Sequence, residues 1–224
     1  MPKAVHRAYG YVKKATATVN GREGRLPGWM TGLIERVCDE VISGQLDDDF
    51  SLYVWKTGSG TQSNMNLNEV ISNRAIQLTG GQPGSKTPVH PNDHVNMCQS
   101  SNDTFPAAMH IAAIQVTSQR LRPSVQALQQ AIAAKASQWR DVVKTGRTHL
   151  QDAVPLTVGQ EWSRVRTPAH PGPGPAHDRH RRPVRAGHRG TAVGTGLNAP
   201  PGAWCRFSVE LVSVATMPLT DSRR

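Results

Sequence analysis

Trp29, Leu33, Val37 and Val41 recur at every fourth position, with Thr31, Glu35, Arg36, Asp39 and Glu40 among the residues between them. That spacing predicts a helix over 28–43. Gly44 is placed to stop it, because glycine takes the left-handed conformation at a helix end without steric cost. Upstream, Ala4, Tyr11, Val12 and Ala15 predict a helix over 4–19, broken by the Gly- and Pro-bearing NGREGRLPG. The run DDDFSLYVWKTGSGTQ is irregular and leads into a polar, Gly-rich turn. MNLNEVISNRAIQL, residues 65–78, predicts a helix ended by Gly80-Gly81, and residues 81–96 read as a loop. Ser101 or Asn102 is expected to cap the next helix, with Pro106 in its first turn. Pro123 suits the start of another. Its apolar positions Val125, Leu128, Ile132, Ala136 and Trp139 form a bundle-type seam. Helix follows helix without alternating strands, so the chain is expected to be mainly α.

The pattern fails over residues 164–189. Five prolines, Pro168, Pro171, Pro173, Pro175 and Pro183, lie there with almost no large apolar residue. A proline inside a helix costs about 3 kcal/mol, so the segment is expected to be irregular. It also changes the meaning of the overall charge. Seven arginines and one aspartate give it +6 of the chain's formal +10. The basic signal is therefore local. A nonspecific phosphate-binding role is one reading, but the block lacks the interleaved aromatics of a base-stacking surface, and nucleic acid is not the expected partner. The sharp edges and the Arg/Pro/Gly/His bias suit GC-rich coding sequence read out of frame, with the frame restored near Gly190.

At 224 residues the chain is long enough for one or two domains with a sizeable core. It has no run of about 18 apolar residues and no secretory leader, so neither a membrane span nor export is expected. Cys38, Cys98 and Cys205 are odd in number and far apart. That spacing suggests a reducing, cytoplasmic setting and neither a disulfide framework nor a zinc site.

Three polar stretches are candidates for chemistry. In TGSGTQSNMN, residues 57–66, small residues would admit a ligand to the backbone, and Ser59, Thr61 and Asn64 are possible donors. The stretch lacks the lysine of a phosphate loop and also reads as plain surface. HPNDHVNMCQSSND, residues 90–103, is suited to an anion beside a helix start, although its Ser and Asp residues could simply be caps. In TGRTHLQDAVPLTVGQEW, residues 145–162, His149 lies between Arg147 and Asp152 and could move a proton. A lone histidine is more often structural.

Taken together, the wording and order of these stretches resemble the class II fumarase family of the aspartase/fumarase superfamily. The matching strings are WKTGSGTQSNMNLNEVISNRA, HPNDHVNMCQSSNDTFPAAMHIA, GRTHLQDAVPLTVGQEW and GTAVGTGLNAP. The likeness covers about residues 1–163 and 190–222 and lapses over 164–189. Thr148-His149 matches fumarases, where aspartate ammonia-lyases read Thr-Gln.

The resemblance implies a fragment of the fumarase/aspartase helical bundle. Residues 1–101 would be part of an N-terminal domain, 102–163 the start of the central helical domain, and 190–224 a further part of it. It implies reversible anti addition of water to fumarate giving (S)-malate, without metal or organic cofactor. The expected partners are dicarboxylates and, in a homotetramer, other subunits. Ser59, Gly60, Thr61, Asn64, Ser100, Ser101, Asn102 and Thr148 are the implied substrate-binding residues. His149 is the implied proton-transfer group, and His90, Pro91, Asn92 and Asp93 match a second carboxylate site. The family motif GSSxMPxKxNP, which carries a serine base and substrate-binding lysine and asparagine, is absent from the sequence. The expectation is a chain weakly active or inactive alone. The alternatives are an aspartase-like enzyme and a non-catalytic fragment that joins intact subunits.

Overall fold

The computed structural model describes residues 1–53, 55, 60–166 and 206. It is mainly α. The helices are α1 (Lys3–Arg22), α2 (Gly28–Ser43), α3 (Gly60–Leu78), α4 (Ser101–Val116), α5 (Arg122–Gln138) and α6 (Val158–Arg166). A 3₁₀ turn occupies Asp47–Asp49, and single π-helical turns occupy Pro91–Val95 and Thr117–Leu121. Two antiparallel strands, β1 (Val143–Thr148) and β2 (Gln151–Thr157), form one hairpin. α6 carries helix into the first three residues of the Arg/Pro-rich block; the rest of it, and GTAVGTGLNAP, lie outside the described residues.

The chain divides into two compact units, one holding Met1–Ala113 and the other Ile114–Arg182. In the first, α1 and α2 form a close pair. Tyr9, Val12 and Ala15 of α1 and Ile34, Val37, Cys38 and Val41 of α2 are fully or almost fully buried. Gly10 permits the approach, since a Cβ there would lie 2.7 Å from Ile42 Cγ1. Leu67, Ile71 and Ala75 of α3 and Ala107, Ala108, Ile111 and Ala112 of α4 join the same core.

The every-fourth-residue pattern of α2 locates the helix but not its buried face. Val37 and Val41 are buried, whereas Trp29 is 56% exposed. Four residues turn 400°, so a strict spacing of four drifts about 40° per step. The buried stripe is instead Met30, Ile34, Val37, Cys38 and Val41, which alternates spacings of three and four. Gly44 does end the helix, at φ 85°. Its missing side chain also leaves room for Arg7, whose Nη2 lies 2.6 Å from Asp47 Oδ2. The Arg7 guanidinium holds the Asp47 carboxyl below its usual range.

His6 is buried and stacks on Phe50 with ring centroids 4.2 Å apart. Burial, reinforced by the nearby N-terminal amine, pushes its pKa down to about 4. The unfolded imidazole keeps a value near 6.5. Between these values the unfolded chain binds more protons, so stability falls as pH drops from about 6.5 to 4 and this contribution flattens below. The expected loss is on the order of 2 kcal/mol. Urea midpoints between pH 7 and 4 should show it, and His6→Phe should flatten the slope. An unchanged slope in the variant would remove His6 as its source.

In the second unit, α6 packs on α5 at Gly159. A Cβ there would sit 2.6 Å from the Ala136 carbonyl oxygen and 2.7 Å from Arg140 Cα. Thr157 and Gln160 cap α6 reciprocally: Gln160 N–H donates to Thr157 Oγ1 at 3.1 Å, and Thr157 N–H donates to Gln160 Oε1 at 3.0 Å. The expected seam on α5 is only partly buried. Ile132 is 8% exposed, but Leu128 is 58% exposed. The spacing marks an apolar face; burial requires something packed on it, and described residues cover little more than Ile132.

The hairpin interrupts the succession of helices in this mainly α chain, and the sequence did not point to it. Thr148 pairs with Gln151, and the residues between them, His149 and Leu150, have φ of 51° and 64°. Two positive φ values are the mark of a type I′ turn. Such turns usually announce themselves with Asn-Gly or Asp-Gly, and His-Leu gives no such signal. Pro155 within β2 also argues against a strand from sequence alone.

Candidate functional site

The helix containing the first polar stretch begins at Gly60, not Met65. Its first turn is too polar for hydrophobic periodicity to register. Ser59 lies outside the described residues, so the site is described from Gly60 onward. Gly60 is packed against α4: a Cβ would lie 2.4 Å from Phe105 Cγ and 2.7 Å from Phe105 Cβ. These atoms lie near the backbone and cannot swing aside freely. Gly60→Ala is therefore expected to cost about 1–3 kcal/mol, read as a lowered urea midpoint. An unchanged midpoint would mean that the two helices separate without penalty.

α4 is capped one residue earlier than expected. Ser100 accepts the Asn102 N–H at 3.3 Å through Oγ, while Ser101 and Asn102 lie inside the first turn. Pro106 sits at the sixth position, beyond the first turn. Its ring nitrogen has no proton for the Asn102 carbonyl, which is freed from the usual intrahelical bond.

These two helix starts converge. Thr61 Oγ1 and Ser101 Oγ are 2.9 Å apart and exposed. Each helix begins with N–H groups lacking intrahelical acceptors and with the positive end of its dipole. The pair of hydroxyls thus sits where two partial positive charges favour an anion. Asp103, in the first turn of α4, is the adjacent acid, and burial pushes its carboxyl pKa up, favouring the neutral form beside that charge.

Asn64 lies one turn into α3 and is 3% exposed. Its Nδ2 donates to Asn96 Oδ1 at 3.0 Å, and its Oδ1 accepts from Lys13 Nζ at 2.8 Å and Thr104 Oγ1 at 3.3 Å. The residue expected as a substrate donor has its oxygen engaged within the protein, and one N–H as well.

The HPND stretch forms a tight turn rather than an open loop. His90 Nδ1 accepts the N–H groups of Asn92 and Asp93 at 3.3 and 3.1 Å. The Asp93 carboxylate is 3.2 Å from the same nitrogen. The two amide bonds fix Nδ1 as an acceptor, so this pair is a close approach and not a salt bridge. Pro91 is buried; Asn92 and Asp93 are exposed.

Thr148 and His149 lie in the second unit, at the end of β1 and in the hairpin turn, both exposed. Arg147 Nε and Asp152 Oδ1, 3.3 Å apart, pair across the strands just below. The structure therefore brings Gly60, Thr61, Ser100, Ser101 and Asn102 together in the first unit, while His149 belongs to the second.

Among the described residues, no group of three or more His, Cys, Asp or Glu is placed to hold a metal. No described helix is long and apolar enough to cross a membrane.

Lys13 carried no expectation from the sequence, yet it is 1% exposed beneath these helix starts. It follows Tyr9 at helical spacing and precedes Thr16 and Asn20, all on one buried stripe of α1. A lysine on such a stripe was the available signal.

Comparison with known proteins covers nearly the whole chain. A protein family described as "Lyase" matches residues 1–223. Class II fumarate hydratase of Methanosarcina acetivorans is 63% identical over 99% of this chain and 46% of its own length. Mitochondrial fumarate hydratase of Rhizopus oryzae is 50% identical over 97% of this chain and 44% of its own. The crystal structure of recombinant class II fumarase from Schistosoma mansoni matches with a TM-score of 0.84 at 40% identity, over 96% of this chain and 45% of that one. The chain thus spans a little under half the length of these relatives.

Proposed function

The chain belongs to the lyase family, and from that premise we propose that it is built for fumarate hydration, the reversible anti addition of water to fumarate giving (S)-malate. The observation that carries this reading is the 2.9 Å contact between Thr61 and Ser101 at two converging helix starts. A dicarboxylate offers the charge that such a place favours.

The difficult step, taken from malate, is removal of a proton beside a carboxylate; in the family the serine of GSSxMPxKxNP takes that proton, and without that motif the residues of this chain cannot complete the step by themselves. The electron pair passes onto that carboxylate and gives an aci-carboxylate with added negative charge. Fixed N–H and hydroxyl dipoles stabilise that charge without reorganising. Gly60, Thr61, Ser100, Ser101 and Asn102 form this cradle, with Asn64 behind it, and Ser59, outside the described residues, is a further substrate-binding residue. The hydroxyl then leaves from the neighbouring carbon as water, taking up a proton. Thr148 and His149 serve that water: His149 hands it the proton as it leaves, and takes one from it in the hydration direction. His90, Pro91, Asn92 and Asp93 form the second carboxylate site. The working assembly is a homotetramer in which motifs of several subunits meet, placed in the cytoplasm and in the tricarboxylic acid cycle.

The test follows absorbance at 240 nm with fumarate and with (S)-malate, beside an assay for ammonia released from aspartate. For this chain alone the expected result is slow or no interconversion of malate and fumarate, with no ammonia release. Ammonia release without malate turnover would replace this reading with an aspartase.

A further inference from the structure

Lys13 lies at the crossing of three segments. Its Nζ donates to Asn64 Oδ1 of α3 at 2.8 Å, to Asn96 Oδ1 at 3.1 Å and to Gln99 Oε1 at 2.8 Å. Asn96 and Gln99 belong to the short connection that leads directly into Ser100, Ser101 and Asn102. Among the described residues no carboxylate lies within ion-pair distance of this ammonium. Such a group is costly to bury and is tolerated only when its hydrogen bonds are made. A lysine ammonium has three protons and no lone pair, and here three amide oxygens take all three.

That count has a directional consequence. An amide can turn either its oxygen or its NH₂ toward a neighbour, but only the oxygen can face a cation. Lys13 therefore sets the orientation of three amides at once. The Asn64 NH₂ is turned onto Asn96 Oδ1, and the Gln99 NH₂ onto the carbonyls of Val95 at 2.8 Å and Met97 at 3.3 Å. Asn20, two turns along α1, donates to the same Met97 carbonyl at 3.3 Å. The backbone entering α4 is in this way tied to α1 and α3 by side-chain hydrogen bonds.

We infer that Lys13 is a positioning residue, holding the start of α3 and the start of α4 in register so that the Thr61 and Ser101 hydroxyls meet. It acts through Asn64, Asn96 and Gln99 and does not itself contact substrate. The inference rests on the proposed dicarboxylate site for its functional meaning, but its structural content stands apart. Burial pushes the Lys13 ammonium pKa down to about 7, so the three acceptors hold a proton that the interior alone would tend to release.

Lys13→Met tests this, since methionine fills a similar volume and donates nothing. Two measurements are made on the whole chain and on the variant: backbone amide hydrogen exchange, and the rise in melting temperature on adding fumarate or (S)-malate. Exchange of the hydrogen-bonded amides at residues 64–67 and 102–104 is expected to quicken at least tenfold, while Val37 and Val41 of α2 keep their protection. The fumarate-induced rise in melting temperature is expected to vanish. Lys13→Arg, which keeps the charge and the donors, is expected to restore part of both. Unchanged exchange at those two segments would overturn the inference. So would acceleration spread evenly over α1 to α4, which is the mark of a general loss of stability. If the parent chain shows no response to either dicarboxylate, the proposed function fails, and the exchange pattern alone still decides the role of Lys13.

Discussion

His149→Ala is expected to abolish whatever slow fumarate hydration the chain shows, since a positioned acid–base group usually contributes a factor on the order of 10² to 10⁴. The argument starts from its place. His149 occupies a two-residue turn between paired strands, exposed and directed by a backbone whose register is fixed by Val143–Thr157 and Thr148–Gln151. Alanine removes the only side chain of that two-residue turn that carries an acid–base group. Little else should change, because the side chain contributes no buried contact. The check is the initial rate at 240 nm for chain and variant, with their urea midpoints measured beside it. A rate within threefold of the parent would remove His149 from the chemistry. A large fall in midpoint would recast it as a structural residue.

Leu67→Ala has the largest expected effect on folding. Leu67 is fully buried on α3, one turn beyond Asn64, in the core shared by α1, α2, α3 and α4. Truncating a fully buried leucine costs about 2–5 kcal/mol, part for lost transfer and part for the cavity left behind. Against a total of roughly 5–15 kcal/mol for a typical domain, this is a large share. Because α3 also carries Gly60 and Thr61, the loss should weaken the response to dicarboxylate along with the fold. Urea denaturation followed by circular dichroism would show it. A shift of less than 1 kcal/mol would mean that the core closes around the gap.

The positions of α1, α2 and α5 were legible from apolar spacing, which marks a helix whether its apolar face is well buried, as on α2, or largely open, as on α5. The stop at Gly44 was legible because only a residue free of Cβ strain suits that φ. What escaped was of two kinds. The first turn of α3 escaped because polar residues hold it, and periodicity measures only apolar ones. The hairpin escaped because its turn is His-Leu, and because β1, VKTGRT, has Val143 as its only apolar residue and so shows no apolar alternation. In the candidate site, Gly60, Thr61, Ser100 and Ser101 were named as one substrate-binding set only through family likeness. Composition alone left each of them as a cap or a loop. Lys13 stayed hidden because lysine on a surface and lysine under three amides look alike in one dimension. Only the stripe it shares with Tyr9, Thr16 and Asn20 separates the two.

The turn at His149 and Leu150 sets folding against chemistry at a single position. For a residue with a Cβ, the left-handed conformation costs roughly 1–2 kcal/mol, and asparagine bears it better than most. His149→Asn should therefore make a firmer hairpin and a poorer catalyst. Gains in thermal resistance sought by repairing this turn would be drawn from activity, so the loop is a poor place to stabilise the protein. Improvement is better sought at surface positions remote from both helix starts, where sturdiness and turnover do not compete.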